Sequence, residues 1–440
     1  MAYRSVHLTV THEASAVARD RRQGVIEDHL YLARYVTPSE AKRLPVYNWF
    51  VYPHSFSPTL VQLLIDRFKL TSKDRLFDPF VGAGTTLLRA KESDISAVGL
   101  DMLPISAALT NAKVTHYNIA ALERDLLHLE KALKSLGSFS KVDDNDPLFT
   151  MARTSSTIIA RAFDEITLRE IVRLKTAISH CANDYDNYMF LLVGLLAILE
   201  PFSLVRKSGG WLKIVGEKVN TGNIIHAYLD RVRHMVAEVI VSQAVEHRGE
   251  WTVKVGDARD MHPDLGHFDA VISSPPYLNR HDYTRVLALE LLVGFLEAYD
   301  DLKDLRYNLL CSHPEAKPRL VLPGYAVPPA LVNILADLRE RKTDARVVRI
   351  VEAYFQDMYA VLLALKQATK RGGVVAFVLG NVRFSGVSIL VDELVARIGA
   401  TVGLEWETTL VARRRNNSAQ QMRRYGCDPS RESIIIWRVP

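Results

Sequence analysis

One succession in residues 75–101 restricts the fold more than any other feature of the sequence: an apolar run ending in acid, a glycine turn, a helix start, then a second apolar run ending in acid. Arg75–Phe80 (RLFDPF) reads as a short buried strand, VGAG as a tight turn, and Thr85 through Lys91 as a helix. Ala97–Leu100 reads as a second strand closed by Asp101, followed by a helix through SAALTNAKV. That is the βαβ pattern of a parallel sheet.

Between about Asn118 and His247 the period changes to long amphipathic helical segments such as LERDLLHLEKALKSL, which predicts a helical insertion. Strand signals resume with TVKV at 252–255, DAVISS at 269–274 and VVAFVL at 374–379. The runs VGLEWETTLVA and ESIIIWRV predict an antiparallel pair closing the sheet. With 440 residues, 48% of them apolar, the chain can fill one large α/β domain with insertions, or two domains. Cys181, Cys311 and Cys427 are far apart and form no CxxC pair, so neither a zinc site nor a disulfide framework is expected, and no other metal is called. A reducing cytoplasm fits. The first 25 residues lack the apolar core of a signal peptide. The apolar run Tyr188–Leu199 is shorter than the roughly 20 residues that span a bilayer, so a buried helix is expected there.

In Asp78-Pro79-Phe80-Val81-Gly82-Ala83-Gly84-Thr85-Thr86, the glycines stand where a strand hands over to a helix, the docking place for ligands in open α/β sheets. A phosphate-binding P-loop would carry a lysine after its last glycine, and Thr85 stands there instead, which disfavours ATP. Asp101 suits the two hydroxyls of a ribose. Asp257, in Val255-Gly256-Asp257-Ala258-Arg259-Asp260, is placed to accept from an adenine amino group at the same sheet edge. The first half of this constellation fits NAD and S-adenosylmethionine alike.

The second half is more specific. Ser274-Pro275-Pro276-Tyr277 leaves a buried strand through two prolines, which stiffen the exit and remove two backbone donors. Fixed acceptors there suit an exocyclic amine, whose lone pair is delocalised into its ring. Hydrogen bonds from its N–H groups to the Ser274 hydroxyl and the Pro275 carbonyl would localise that lone pair and stabilise developing positive charge. Tyr277 can stack on a base swung out of a duplex.

Together DPFVGAGTT, GLD and SPPY resemble the class I S-adenosylmethionine-dependent DNA amino-methyltransferases, whose SPPY variant is typical of N4-cytosine enzymes. The resemblance implies a Rossmann-like α/β fold with a mostly parallel seven-stranded sheet, its last strand antiparallel, and S-adenosylmethionine as cofactor. By position it places donor binding on Asp78, Phe80, Gly82, Gly84 and Thr85, on Asp101 and on Asp257. The upstream segment His54–Leu60, with Pro58 and Thr59, matches the stretch that helps cover the methionine end of the donor. The catalytic loop falls on Ser274, Pro275, Pro276 and Tyr277. Residues 1–117 then form the N-terminal segment and donor-binding half, 118–247 the insertion and candidate target-recognition unit, and 248–440 the catalytic half, with a smaller insertion near 300–345. Two features depart from the pattern. Ala83 stands where serine is common, and the donor motif precedes SPPY, whereas many SPPY enzymes have the opposite order, so the resemblance carries no target specificity.

The net charge is +5, and Arg413–Arg438 holds seven arginines against Asp428 and Glu432. Arg413, Arg414, Arg415 and Arg423, among amides able to read base edges, are expected to meet nucleic acid. So are Arg206 and Lys207, in a basic segment flanked by Phe202 and Trp211. The function expected is methylation of double-stranded DNA at N4 of cytosine, by family analogy beside a cognate restriction endonuclease. N6-adenine methylation and RNA amino-methylation are the alternatives.

Overall fold

The computed structural model describes residues 24–52, 55–134, 144–279, 281–318, 322–415 and 429–440. In chain order, strand β1 (Val25–Asp28) precedes α1 (Pro58–Phe68), β2 (Arg75–Asp78), α2 (Thr85–Glu92), β3 (Ser96–Asp101) and α3 (Pro104–Val114). Five helices follow: α4 (Ile119–Lys134), α5 (Pro147–Arg153), α6 (Ile158–Ala162), α7 (Glu165–Cys181) and α8 (Tyr185–Ile198). A hairpin of β4 (Val205–Ser208) and β5 (Trp211–Ile214) leads to α9 (Ile224–Ser242), β6 (Trp251–Val255) and β7 (Phe268–Ser273). Helices α10 (Tyr283–Val286), α11 (Ala288–Gly294), α12 (Tyr299–Asn308), α13 (Pro329–Glu340) and α14 (Ala345–Ala368) come next. The chain closes with β8 (Thr369–Gly380), β9 (Val382–Phe384), β10 (Val387–Ile389), α15 (Val391–Thr401), β11 (Glu405–Arg415) and β12 (Ser430–Arg438).

Among the described residues eight strands form the central sheet, in the order β1-β11-β12-β8-β7-β2-β3-β6. Only β12 runs against its described neighbours; every other pairing in the sheet is parallel. This is the Rossmann-like arrangement the resemblance implied, enlarged by one strand: β1 adds to the seven by pairing alongside β11.

Alternation along the strands gives the sheet two apolar faces. Leu76, Ala270, Ile272 and Ala376 pack with α1 and α2, while Phe77, Val271, Val375 and Phe377 pack with α14 and α15. Helix α3 is buried on two sides: Ala107 and Val114 join the first of these cores, and Ile105, Leu109 and Ala112 join a separate core of α4 through α9. The helical block therefore stacks on the sheet through α3. Within it, the apolar run Tyr188–Leu199 lies in α8 and just beyond it, mostly buried, and among the described residues no helix is long and apolar enough to cross a membrane.

From β2 the chain builds outward through β3 to β6, then returns to place β7 on the other side of β2. That reversal leaves a crevice beyond the carboxyl ends of β2 and β7, where ligands dock in open α/β sheets.

Candidate functional site

The crevice is organised by two carboxylates, Asp78 buried and Asp101 half-buried. Asp78, at the end of β2, accepts the Ser273 hydroxyl at 2.5 Å and the Phe80 N–H at 3.0 Å, which ties the end of β7 to the turn after β2. Burial pushes the Asp78 carboxyl up to about 6, against these hydrogen bonds. Asp101, at the end of β3, accepts the Gly82 N–H at 3.0 Å through one oxygen and the Leu103 N–H at 2.9 Å through the other. Burial raises it too, to about 6.

Gly82 and Gly84 both have positive φ, +47° and +79°. Their reasons differ. A Cβ on Gly84 would stand 2.7 Å from the Thr110 hydroxyl of α3, whereas one on Gly82 would stand 3.3 Å from the Tyr52 ring. Gly84 thus lets α2 start against α3, and Gly82 keeps the cleft wall thin.

The cleft encloses about 770 Å³ of space, partly open to solvent, within the ~300–1,000 Å³ range of ligand sites. Of the residues singled out from the sequence, Phe80, Gly82, Thr85, Asp101, Ser274 and Pro276 line it. Pro58, Thr59, Asp78, Gly84, Asp257, Pro275 and Tyr277 do not. Pro58 opens α1, and the Thr59 hydroxyl donates to Glu40 at 2.7 Å, although Ser55 and Phe56 of the same segment reach the wall. His54 lies outside the described residues. Tyr52, Met102, Leu103, Tyr283, Leu309, Leu310 and Ser312 line the cleft without having been picked out. The Tyr52 and Tyr283 rings are near parallel, with centroids 6.2 Å apart. Tyr283 had a signal, since it falls six residues after SPPY; Leu309 to Ser312 had none.

Ser274 donates its hydroxyl to the Val378 carbonyl at 3.2 Å. Its single proton is thereby engaged, which leaves its oxygen an acceptor toward the cleft. Among the described residues no hydrogen bond ends on the Pro275 carbonyl.

The surroundings of the other singled-out residues are defined as well. Asp257 is held by Arg259 at 2.9 Å, and Arg259 also reaches Asp357 at 2.9 Å, so the Asp257 carboxylate belongs to an internal ion-pair network. Tyr277 donates to Glu432 at 2.8 Å and packs under the core of α14 and α15. The segment holding Arg206 and Lys207 is the hairpin β4–β5, not a loose loop: Lys207 turns inward, and Arg206, on the opposite face of β4, folds back onto main-chain carbonyls. Arg206 donates to the Glu200 and Ser203 carbonyls, while Lys207 pairs with the buried Glu290 at 2.6 Å and lies over the Phe50 ring. Arg413 pairs with Glu432 and Arg414 with Asp28. The Arg415 side chain and Arg423 lie outside the described residues.

Asp282, His313 and Glu315 approach within 4.8 Å of one another, as metal ligands do. Arg306 at 2.8 Å and Arg285 at 3.2 Å already supply positive charge to Asp282, so the group is an ion-pair network.

No known protein-family profile matches the chain. The type II methyltransferase M.BsoBI of Geobacillus stearothermophilus is 28% identical over 94% of this chain and 90% of its own length. The type II methyltransferase M.AvaI of Nostoc is 26% identical over the same shares. The chain is a relative of the type II methyltransferases. The resemblance read from its motifs is thereby borne out, and with it methyl transfer from a donor of the S-adenosylmethionine type. Among solved structures, the rRNA methyltransferase aviRa from Streptomyces viridochromogenes aligns over 94% of this chain and 97% of its own, at 11% identity and a TM-score of 0.31, too slight a likeness to carry an argument.

Proposed function

We propose that this methyltransferase relative modifies double-stranded DNA site-specifically, transferring methyl from S-adenosylmethionine to N4 of cytosine, as the modification partner of a restriction endonuclease. One observation carries the reading: the Ser274–Pro276 exit from β7 opens into the same cleft as Gly82 and Asp101. A donor pocket and a rigid set of acceptors for an amine share one space.

The residues fit the donor. Asp101 offers a carboxylate to ribose hydroxyls at a strand end, Gly82 allows close approach of the backbone, and Phe80, Tyr52 and Tyr283 give aromatic walls to an adenosine. Bound S-adenosylmethionine supplies an electrophilic methyl on a sulfonium. The chain's part is to hold and polarise the amine. With its own proton fixed on Val378, the Ser274 oxygen can only accept from a target N–H, and the second acceptor in this reading is the Pro275 carbonyl, set between the two lining residues Ser274 and Pro276 and engaged by no hydrogen bond among the described residues. Their joint pull favours pyramidal nitrogen, and the amine proton departs to water after transfer. Asp78 positions this loop through Ser273. Donor and acceptors are placed before substrate arrives, which lowers the reorganisation needed in the transition state.

Methylating plasmid DNA with the purified chain and analysing its nucleosides by mass spectrometry tests the assignment. N4-methylcytosine is expected. N6-methyladenine in its place would overturn the base assignment, and 5-methylcytosine would overturn the amine mechanism. Ser274→Ala should lower kcat by roughly 10²-fold, as loss of one preorganised polar contact does.

A further inference from the structure

The β4–β5 hairpin engages the very cations that the sequence made prominent, Lys207 on its inward face and Arg206 on main-chain carbonyls, and leaves others unengaged on its outward face. In its register Lys207 faces Leu212 and Ser208 faces Trp211. Lys207 and Leu212 point inward, to Glu290 and to the core of the helical block. Trp211 and Lys213 alternate with them on the outward face. Trp211 is 61% exposed, while the other four tryptophans are buried or half-buried. Lys213 is exposed and has no ion pair among the described residues.

The position of this face matters. β5 packs against α10, and a Cβ on Gly210 would stand 3.4 Å from the His281 backbone. His281 lies between the Ser274–Tyr277 loop and Tyr283 on the cleft wall. At the tip, Gly209 has φ +59° and open space around it, so the turn is narrow. An exposed indole, a free cation and a slender tip therefore stand beside the segment that frames the cleft.

We infer that the outward face of the β4–β5 hairpin is a DNA-contacting element, on which Trp211 stacks against a base left unstacked when the target base leaves the duplex, with Lys213 on the neighbouring phosphate. Base flipping breaks stacking on both sides of the extruded nucleotide, and an indole is the largest side-chain surface that can replace it. This inference rests on the DNA-methylation reading above. It needs no contact from Arg206 or Lys207.

The test uses the full chain, unmethylated plasmid DNA and radiolabelled donor. Removing one aromatic stacking platform costs roughly 5- to 150-fold in affinity, so Trp211→Ala should raise KM for DNA about tenfold, with calorimetric donor affinity unchanged. DNA should quench the exposed tryptophan emission of the parent, and Trp211→Phe should restore KM to within a few-fold and abolish that quenching. A KM within twofold of the parent in W211A, or DNA-dependent quenching that persists in W211F, would overturn the inference. A parent protein that binds donor but methylates no plasmid DNA removes the reading beneath it, and the inference with it.

Discussion

Replacing Gly84 by alanine separates backbone demand from ligand demand at the turn. The new methyl would sit in a left-handed conformation, at a cost of about 1–2 kcal/mol. It would also press on Thr110, 2.7 Å from its hydroxyl and 2.9 Å from its methyl, an overpacking worth about 1–3 kcal/mol. The sum is about 2–5 kcal/mol. For 440 residues the unfolding entropy scales to ~0.9 kcal/mol per degree, so the melting temperature should fall by roughly 2–5 °C. In a Thr110→Ala background only the backbone part remains, and the cost of Gly84→Ala should drop to about 1–2 kcal/mol. Gly82→Ala should behave differently. Its methyl meets the Tyr52 ring at 3.3 Å on the cleft wall, so donor affinity should fall about tenfold for a smaller loss of stability. Differential scanning calorimetry and donor titration of the four proteins and the parent decide it. Equal cost of Gly84→Ala in both backgrounds would refute the packing argument, and lost donor affinity at an unchanged melting temperature would place Gly84 on the ligand.

Asp101→Asn should weaken donor binding yet raise the melting temperature of the ligand-free protein at pH 8, and raise it much less at pH 4.5. The sign follows because a carboxyl raised from 3.8 to about 6 contributes stability below its ordinary value that is lost as pH rises through about 6. By the same titration, donor affinity of the parent should fall as pH drops below about 6, and a flat calorimetric profile from pH 5 to 8 would remove the carboxylate from that role. Lys207→Ala leaves the buried Glu290 without its cation and should cost about 3 kcal/mol in a thermal melt. Its DNA-binding salt slope should match the parent's; a flatter slope would put Lys207 on a phosphate.

Local order was well signalled. The strands expected at 252–255 and 269–274 fall at Trp251–Val255 and Phe268–Ser273, and the turn between β2 and α2 lies where its glycines put it. These features depend on neighbours in sequence, which periodicity and turn chemistry report. The partners of the charges were not legible because they are remote. Lys207 meets Glu290 and Arg414 meets Asp28, and no local pattern links either pair. The same holds for the cleft, where Tyr52 and Ser312 arrive from segments far from the motifs. The apolar helical block was visible as amphipathic period, but its hairpin, with Trp211 outward, was hidden inside a run that read as a basic loop.

The eighth strand bears on how the sheet is finished. β1 covers a β11 edge that would otherwise offer an unpaired row of amides and carbonyls to another molecule, and the Arg414–Asp28 pair reinforces it. Thr408, whose hydroxyl donates to the Val25 carbonyl, is 383 residues further along the chain. During synthesis β1 must therefore wait for 383 further residues before it finds its place. Until then the nascent protein carries a stray strand, and once β11 has folded an open sheet margin as well, so its risk of self-association is concentrated in the docking of β1.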